Sequence, residues 1–416
     1  MVTWFRSYRS QLISAFLTLG IATMGITGWQ VSRSASQALR QATEERLAAI
    51  RQTRVRQIER YFDDLANHVL ALSSDESVIS ALEEFQSTWP RLPATGPPEG
   101  PLRELYRRLN SEALFPSDPR TRILQQAYLA ANPHPASERG LLLEAPTAAP
   151  YDAVHRRFHP TLYRYRMAFG FWDIFLIDTQ GRVLYTVAKE FDLGASLRHD
   201  PAFANTGLSR VFERARALTE PELTVLEDFS RYAPSAGAPA AFLAAPVWRA
   251  GEQAGVLVIQ ISLDEIDRVM TGDRSWREEG LGDTGQSYLL GRDGLLRSDL
   301  RQTIERPDRR RSTAVLTAPP PPAAAMLRSE SPARVAGVEW RVVAEIEEQE
   351  ALRPVSELQR GLLLIALILA LALVLIAYWL GGSITRRLRS LADNVQRLAG
   401  RDFRARVAVE GRDELA

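Results

Sequence analysis

The chain has 416 residues, 51 of them Lys or Arg and 50 Asp or Glu, with a formal net charge of +1. That length accommodates two or three domains, and near-neutrality leaves no global electrostatic case for nucleic acid as a partner. There is no cysteine, so disulfides, cysteine–zinc sites and thiol catalysis are excluded. Lys189 is the one lysine among the 51 basic residues, a bias that reflects a GC-rich coding sequence.

Residues 10–32, "SQLISAFLTLGIATMGITGWQVS", carry no charge and are bordered by Arg9 and Arg33. They are expected to form a first transmembrane helix; a cleaved signal peptide is the rival, disfavoured because no small-residue cleavage site follows and the helical pattern continues past Arg33. From Leu47 to Leu72 apolar residues recur at Leu47, Ile50, Ile58, Phe62, Leu65, Val69 and Leu72, one helical stripe. The helix is expected to reach about Phe85. Its stripe needs a partner, either the domain's own strands or a second copy of the helix. "PRLPATGPPEGP" (90–101) breaks it, and short helices follow near 102–110 and 121–131, the second ended by "NPHP".

From about residue 170 the apolar period becomes two. "WDIFLID" (172–178) and "RVLYTVAK" (182–189) flank the turn "TQG", where Asp178 suits a turn cap; "LTVLEDF" (223–229), "AAFLAAPVW" (240–248) and "AGVLVIQIS" (254–262) follow. Five short strands with turn signals predict one antiparallel sheet. Ser262 and Glu265 have capping-box spacing for a helix over 263–270. A smaller group begins with the strand–turn–strand "GQSYLLGRDGLLRSD" (285–299), passes the stiff "PPPP" (319–322) and closes with "VEWRVVAEI" (338–346).

"GLLLIALILALALVLIAYWLGG" (361–382) is a second transmembrane helix by length, with Tyr378 and Trp379 suited to the interface. Arg6 and Arg9 precede the first span and Arg386, Arg387 and Arg389 follow the second, so both ends are expected in the cytoplasm and residues 33–360 outside. Beyond the second span Ile384, Leu388, Leu391, Val395 and Leu398 step by four and three, an a/d seam. Eight arginines against Asp393, Asp402 and Glu410 over 383–412 suit anchoring to anionic lipid.

Taken together, "HPTLYRYRMAFGFWDIFLIDTQGRVLYTVAKEFDLG", "LEDFSRYAPSAGAPAAFLAAPV" and "GLGDTGQSYLLGRDGLLRSD", over roughly 155–346, resemble the double Cache sensors of bacterial receptors. Residues 383–416 resemble the first half of a HAMP relay, with Asp413-Glu414-Leu415 opening a second helix and Arg387 where many members carry proline. The resemblance implies an α+β architecture. A long membrane-connected helix is joined to two tandem PAS-like antiparallel-sheet modules (distal about 150–270, proximal about 275–346), flanked by two transmembrane helices and a cytoplasmic HAMP helix. It also implies a homodimer, a ligand in the distal module and a cytoplasmic signalling partner reached through an output domain expected beyond Ala416. Chemotaxis is one output of such receptors; a histidine kinase, nucleotide cyclase or phosphatase is the alternative.

No nucleophile–base set, P-loop or kinase motif occurs, so no catalysis is expected within these residues, and no cofactor. His155 and His159 in "HRRFH" are spaced i, i+4, but Pro160 follows and no glutamate lies between them; a surface or capping role is expected, not a metal site. The paired acids Asp63-Asp64 and Glu83-Glu84 read as solvated helix faces. The candidate ligand cup comprises Tyr165, Arg166, Trp172, Asp173, Tyr185, Lys189, Asp228 and Tyr232. Aromatic walls beside Asp228 or Asp173 suit an ammonium, and Arg166 suits a carboxylate. The ligand classes are then amino acids, organic acids and amines; a periplasmic protein docking outside is the other way in. Lys189 with Glu190 also reads as a surface ion pair.

Overall fold

The computed structural model describes residues 8–93, 99–145, 149–305 and 313–399, with side chains described from residue 14 to residue 379. The chain divides into two compact units, Met1–Thr43 with Glu348–Ala416, and Glu44–Glu347.

Helix α1 (Tyr8–Ser73) is followed by α2 (Glu76–Thr88). One helix to Phe85 was expected; Asp75 divides it, because its carboxylate accepts hydrogen bonds from the Ser77 and Val78 amides and caps α2. Ile58, Phe62, Leu65, Val69 and Leu72 of the α1 stripe are buried. The stripe packs on its own domain: Phe62 meets Trp340 edge-on at 5.1 Å. After α3 (Gly100–Arg108) and α4 (Pro119–Gln125) comes α5 (Pro150–Phe169), which runs through Pro160 and ends at Gly170 with φ +70°.

The first module is a five-stranded antiparallel sheet in the order β2-β1-β5-β4-β3. Its strands are β1 (Asp173–Asp178), β2 (Val183–Thr186), β3 (Val225–Tyr232), β4 (Ala238–Arg249) and β5 (Glu252–Gln260), with α6 (Gly207–Arg216) between β2 and β3. Asp178 Oδ1 accepts from the Gln180 and Arg182 amides at the β1–β2 turn, the cap expected there. All of β2, and β1 from Asp173 to Ile177, are buried. Both faces of this end are therefore covered, and the run reads as nearly continuous apolar sequence. On the α2 side Val78, Ile79, Leu82 and Phe85 are buried, and Phe85 stacks on Tyr185 at 5.1 Å. At Gly255 of β5 an added Cβ would lie 2.4 Å from the Ile177 carbonyl oxygen and 2.8 Å from Leu82. Gly255→Ala is expected to destabilise the protein by about 2 kcal/mol through overpacking. Thermal unfolding checks this; a loss below about 0.5 kcal/mol would contradict the packing described.

Helix α7 (Leu263–Thr271) starts after Ser262, as expected, but without the capping box: Ser262 makes no side-chain cap bond. Glu265 instead pairs with Arg268 at 2.8 Å. The second module holds β6 (Gln286–Leu290), α8 (Arg301–Ile304), β7 (Met326–Val335) and β8 (Val338–Glu347), its sheet ordered β6-β8-β7. Among the described residues this second sheet has three strands, two fewer than the first. The segment after the Asp293-Gly294 turn contributes only a single bridge, Leu290 to Leu296, and β7 was not anticipated.

In the other unit, α9 (Glu348–Ala351) leads into α10 (Arg353–Ala399). Arg353–Trp379 is long and apolar enough to cross a membrane, its most apolar 18-residue window having mean hydropathy 3.0. In the expected first span, Phe16, Leu19, Ile21, Ile26 and Trp29 of α1 are exposed. Arg40 pairs with Glu348 at 2.8 Å. The a/d seam lies on helical backbone of α10; the connector and Asp413-Glu414-Leu415 lie outside the described residues.

Candidate functional site

The stretch after β2 turns inward with its charges. Lys189 is 0 % exposed and takes a left-handed φ of +61°, a conformation that non-glycine residues hold only when their surroundings enforce it. The enforcement is visible. Asp173 Oδ1, at the start of β1, accepts from the Ile174 amide at 2.7 Å and from the Val187 and Ala188 amides at 2.8 Å. Thr186 Oγ1 accepts from the Lys189 amide at 2.9 Å. Gln125 donates to the carbonyls of Phe191 and Leu193 at 2.8 and 2.9 Å, pinning the far side of the loop.

Four ionisable groups are thereby brought inside. The Lys189 ammonium donates to the Thr186 carbonyl and lies 4.3 Å from the centre of the Tyr185 ring and 5.9 Å from that of Tyr128. Tyr232 donates its hydroxyl to Asp192 Oδ2 at 2.7 Å. Glu190 accepts from the Ser235 hydroxyl and from the Trp172 side chain. Gln260 Nε2 reaches Ser235 Oγ at 3.4 Å. Three buried acceptors have no donor: Asp173 Oδ2, Asp192 Oδ1 and Gln260 Oε1. An unmatched buried acceptor costs roughly 1–3 kcal/mol. Each marks a place where a donor belongs.

Burial dominates the titration of the cluster. It pushes Asp173 up to about 6, against the opposing pull of the Ala188 and Ile174 amides and Lys189. It raises Glu190 to about 7 and Asp192 well above the carboxylate range, Glu190 and Asp173 adding to the shift. The same desolvation lowers Lys189 to about 7, opposed by Asp173 and Asp192. His159, beside them, is pushed down to about 3 by burial and by Lys189. It is neutral, with Nε2 donating to the Gly140 carbonyl at 2.7 Å and Nδ1 accepting from the Tyr185 hydroxyl at 2.6 Å.

A groove of about 760 Å³ opens at the rim of this cluster, lined in part by Trp172, Ser235, Pro239, Gln260, Arg274 and Ile304. Trp172, Ser235 and Gln260 stand between the groove and the buried acids.

Of the eight expected residues, Asp173, Tyr185, Lys189 and Tyr232 meet in the interior, and all are fully buried. Trp172 sits at the rim, 42 % exposed, and Arg166 Nε donates to its carbonyl at 2.6 Å. Tyr165 stacks on Phe169 with ring centres 6.1 Å apart. Asp228 belongs to a different structure: its carboxylate accepts from Arg297 at 2.9 Å and from the Trp340 indole at 3.1 Å. Lys189 and Glu190 are no surface pair, since both point inward. His155 and His159 are buried and stacked at 4.4 Å, not surface or capping residues: one face of α5 lies against the core, and His155 Nδ1 donates to the Leu143 carbonyl at 2.7 Å. Sequence reasoning missed Glu190, Asp192, Ser235 and Gln260. The available signal was "KEFD", three charges in four residues directly between apolar runs.

Residues 379–416 match the family model of the HAMP domain. The seam at 384–398 falls inside that match. No curated protein matches the chain. Among solved structures, it is similar to the ligand-binding domain of the Pseudomonas fluorescens chemoreceptor CtaA in complex with L-serine, at 16% identity and TM-score 0.31, over 60% of this chain and 97% of that one. It is also similar to the ligand-binding domain of the Pseudomonas aeruginosa amino acid chemoreceptor PctB in complex with L-Arg, at 18% identity and TM-score 0.29, over 61% and 96%. A third is that of PctC from the same organism in complex with GABA, at 16% and 0.29, over 51% and 86%.

Proposed function

We propose that this chain is the sensing and relaying part of a bacterial inner-membrane receptor, and that its first module binds a small molecule bearing an ammonium or comparable hydrogen-bond donors. The observation that carries the reading is the interior cluster: the fully buried carboxyl groups of Asp173 and Asp192 lie near the fully buried Lys189, and each keeps an oxygen without a donor. Such a site favours a cation and disfavours an organic acid.

The wider architecture supports the same reading. Two apolar stretches, 10–32 and 361–382, flank residues 33–360, and the arginines at 6, 9, 386, 387 and 389 support an orientation with both ends in the cytoplasm. The HAMP match begins at the end of the second stretch. The receptor works as a homodimer and passes its signal to a cytoplasmic output, of chemoreceptor type or, alternatively, an enzyme such as a histidine kinase or nucleotide cyclase. Ligand binding favours one of two packings of the membrane helices and the HAMP seam. These residues themselves bind and relay and do not catalyse.

The test is a thermal-shift panel of amines, amino acids, polyols and organic acids on the full chain in detergent. A ligand at 100 times its Kd is expected to add about 2.7 kcal/mol. Asp192→Asn, which keeps shape and removes charge, is expected to abolish the shift for cationic ligands. Equal shifts in wild type and variant, or shifts by organic acids alone, would place binding elsewhere.

A further inference from the structure

Resting on the reading that this cluster recognises the donor end of the ligand, we propose that the ligand is an amine with a flat apolar body, and that this body lies in the groove between the two modules with an N–H on Gln260 Oε1.

The groove of about 760 Å³ is walled by both modules. Trp172, Ser235, Pro239 and Gln260 come from the first, Ile304 and Thr313 from the second. Gln260 ends β5, the strand that pairs with both β1 and β4. It is only 3 % exposed, and its Oε1 has no partner. A side-chain amide can be turned end for end without changing shape, so its neighbours decide which end is left over. Ser235 decides it here. Its one hydroxyl proton goes to Glu190, so towards Gln260 it can only accept. The amide nitrogen therefore faces Ser235 Oγ, at 3.4 Å. The carbonyl oxygen is the unpaired end, in a residue that lines the cavity. That oxygen takes an N–H or an O–H and rejects an acceptor.

The body follows from the walls. Trp172 stands beside Gln260, its amide bonded to the Gln260 main-chain carbonyl at 2.9 Å, and it is the exposed aromatic residue of the groove. Pro239, Leu263 and Ile304 add hydrocarbon. An aromatic ring suits such walls, and an ammonium on a short arm is served by an indole face as well as by the amide oxygen. The far wall is set before any ligand arrives. Asp267 of α7 accepts from the Asp299 amide at 2.7 Å, and Asp299 accepts from the Thr313 hydroxyl at 2.9 Å and the Ala314 amide at 2.6 Å. One molecule in the groove touches the end of the first sheet and the second module together. Its binding favours the setting of the two modules that closes on it.

The test uses the full chain in detergent and two probes. Benzylamine and benzyltrimethylammonium carry the same ring and the same charge, but only benzylamine has an N–H. Titration calorimetry is expected to give benzylamine a Kd of about 1 mM and to find benzyltrimethylammonium at least about tenfold weaker. Gln260→Leu is expected to bring benzylamine down to the level of the quaternary probe. Thr313→Trp, which fills the groove from the second module, is expected to abolish benzylamine binding. If circular dichroism shows that variant unfolded, Ile304→Ala replaces it, with a severalfold loss expected. Equal affinities for the two probes overturn the proposal. So does benzylamine binding that is undiminished in Gln260→Leu and in the Thr313 or Ile304 variant. If that binding is still lost in Asp192→Asn, the ligand lies wholly in the interior and the proposed function stands; if it survives there too, both fall. No benzylamine binding at all overturns the groove site, and the thermal-shift panel then judges the proposed function separately.

Discussion

Asp228→Ala is expected to destabilise the protein by about 3 kcal/mol. Asp228 sits on β3 where the register with β4 shifts between Glu227 and Ser230. It accepts from Arg297 Nε and Nη2 and from the Trp340 indole. Arg297 is only 5 % exposed and keeps one other carboxylate, Asp293 at 3.0 Å. Truncation leaves a buried guanidinium half-compensated and an indole N–H without its acceptor. Asp228 itself is 32 % exposed, so some of the loss is softened by water. Urea unfolding measures the effect, and the double variant with Arg297→Met separates pairing from packing. A coupling of about 2 kcal/mol is expected. If the single variant loses less than about 0.5 kcal/mol, the clamp between the modules is not what holds them.

Ligand-free and ligand-bound protein are expected to respond to acid with opposite signs. Asp173 and Glu190 have folded-state values raised to about 6 and about 7, above those of an unfolded chain. The folded state therefore holds these protons more tightly, and ligand-free stability rises as the pH falls from about 7 towards 4. Asp173 alone, moved from 3.8 to about 6, contributes on the order of 3 kcal/mol over that window. Lys189, lowered to about 7, acts above the window, where stability rises with pH. A cationic ligand needs the carboxylates ionised, so its affinity falls on acidification, by up to about tenfold per pH unit for each proton displaced. Melting temperatures at pH 5 and pH 7, with and without ligand, check both. A ligand whose affinity is flat across this range does not sit on these acids.

The first sheet was legible because turn signals bracket its strands: Thr179-Gln180-Gly181 and Ala250-Gly251 fall at its tight turns. The second was less so. β7, "MLRSESPARV", alternates exposed and buried positions with almost no strong apolar residues, so hydrophobic periodicity could not find it. Asp75 within "SSDES" was a cap signal lost inside a longer apolar stripe. Tyr185 and Tyr232 were expected as aromatic walls of a cup, and both are buried. Asp192 was not, because an isolated aspartate after a strand reads as a loop residue. Asp228 illustrates the converse. Its position beside aromatics suggested a ligand, but its partner lies 69 residues on, and no local pattern announces a contact of that range.

The sealed lysine also gives the chain an internal clock. At 0 % exposure its amine meets reagent only when the interior opens. With labelling reagent in excess, the modification rate reads the opening rate; with reagent scarce, it reads the free energy of opening. Since no second lysine exists to blur the signal, the breathing of this one place can be timed in the unaltered protein, without an inserted probe.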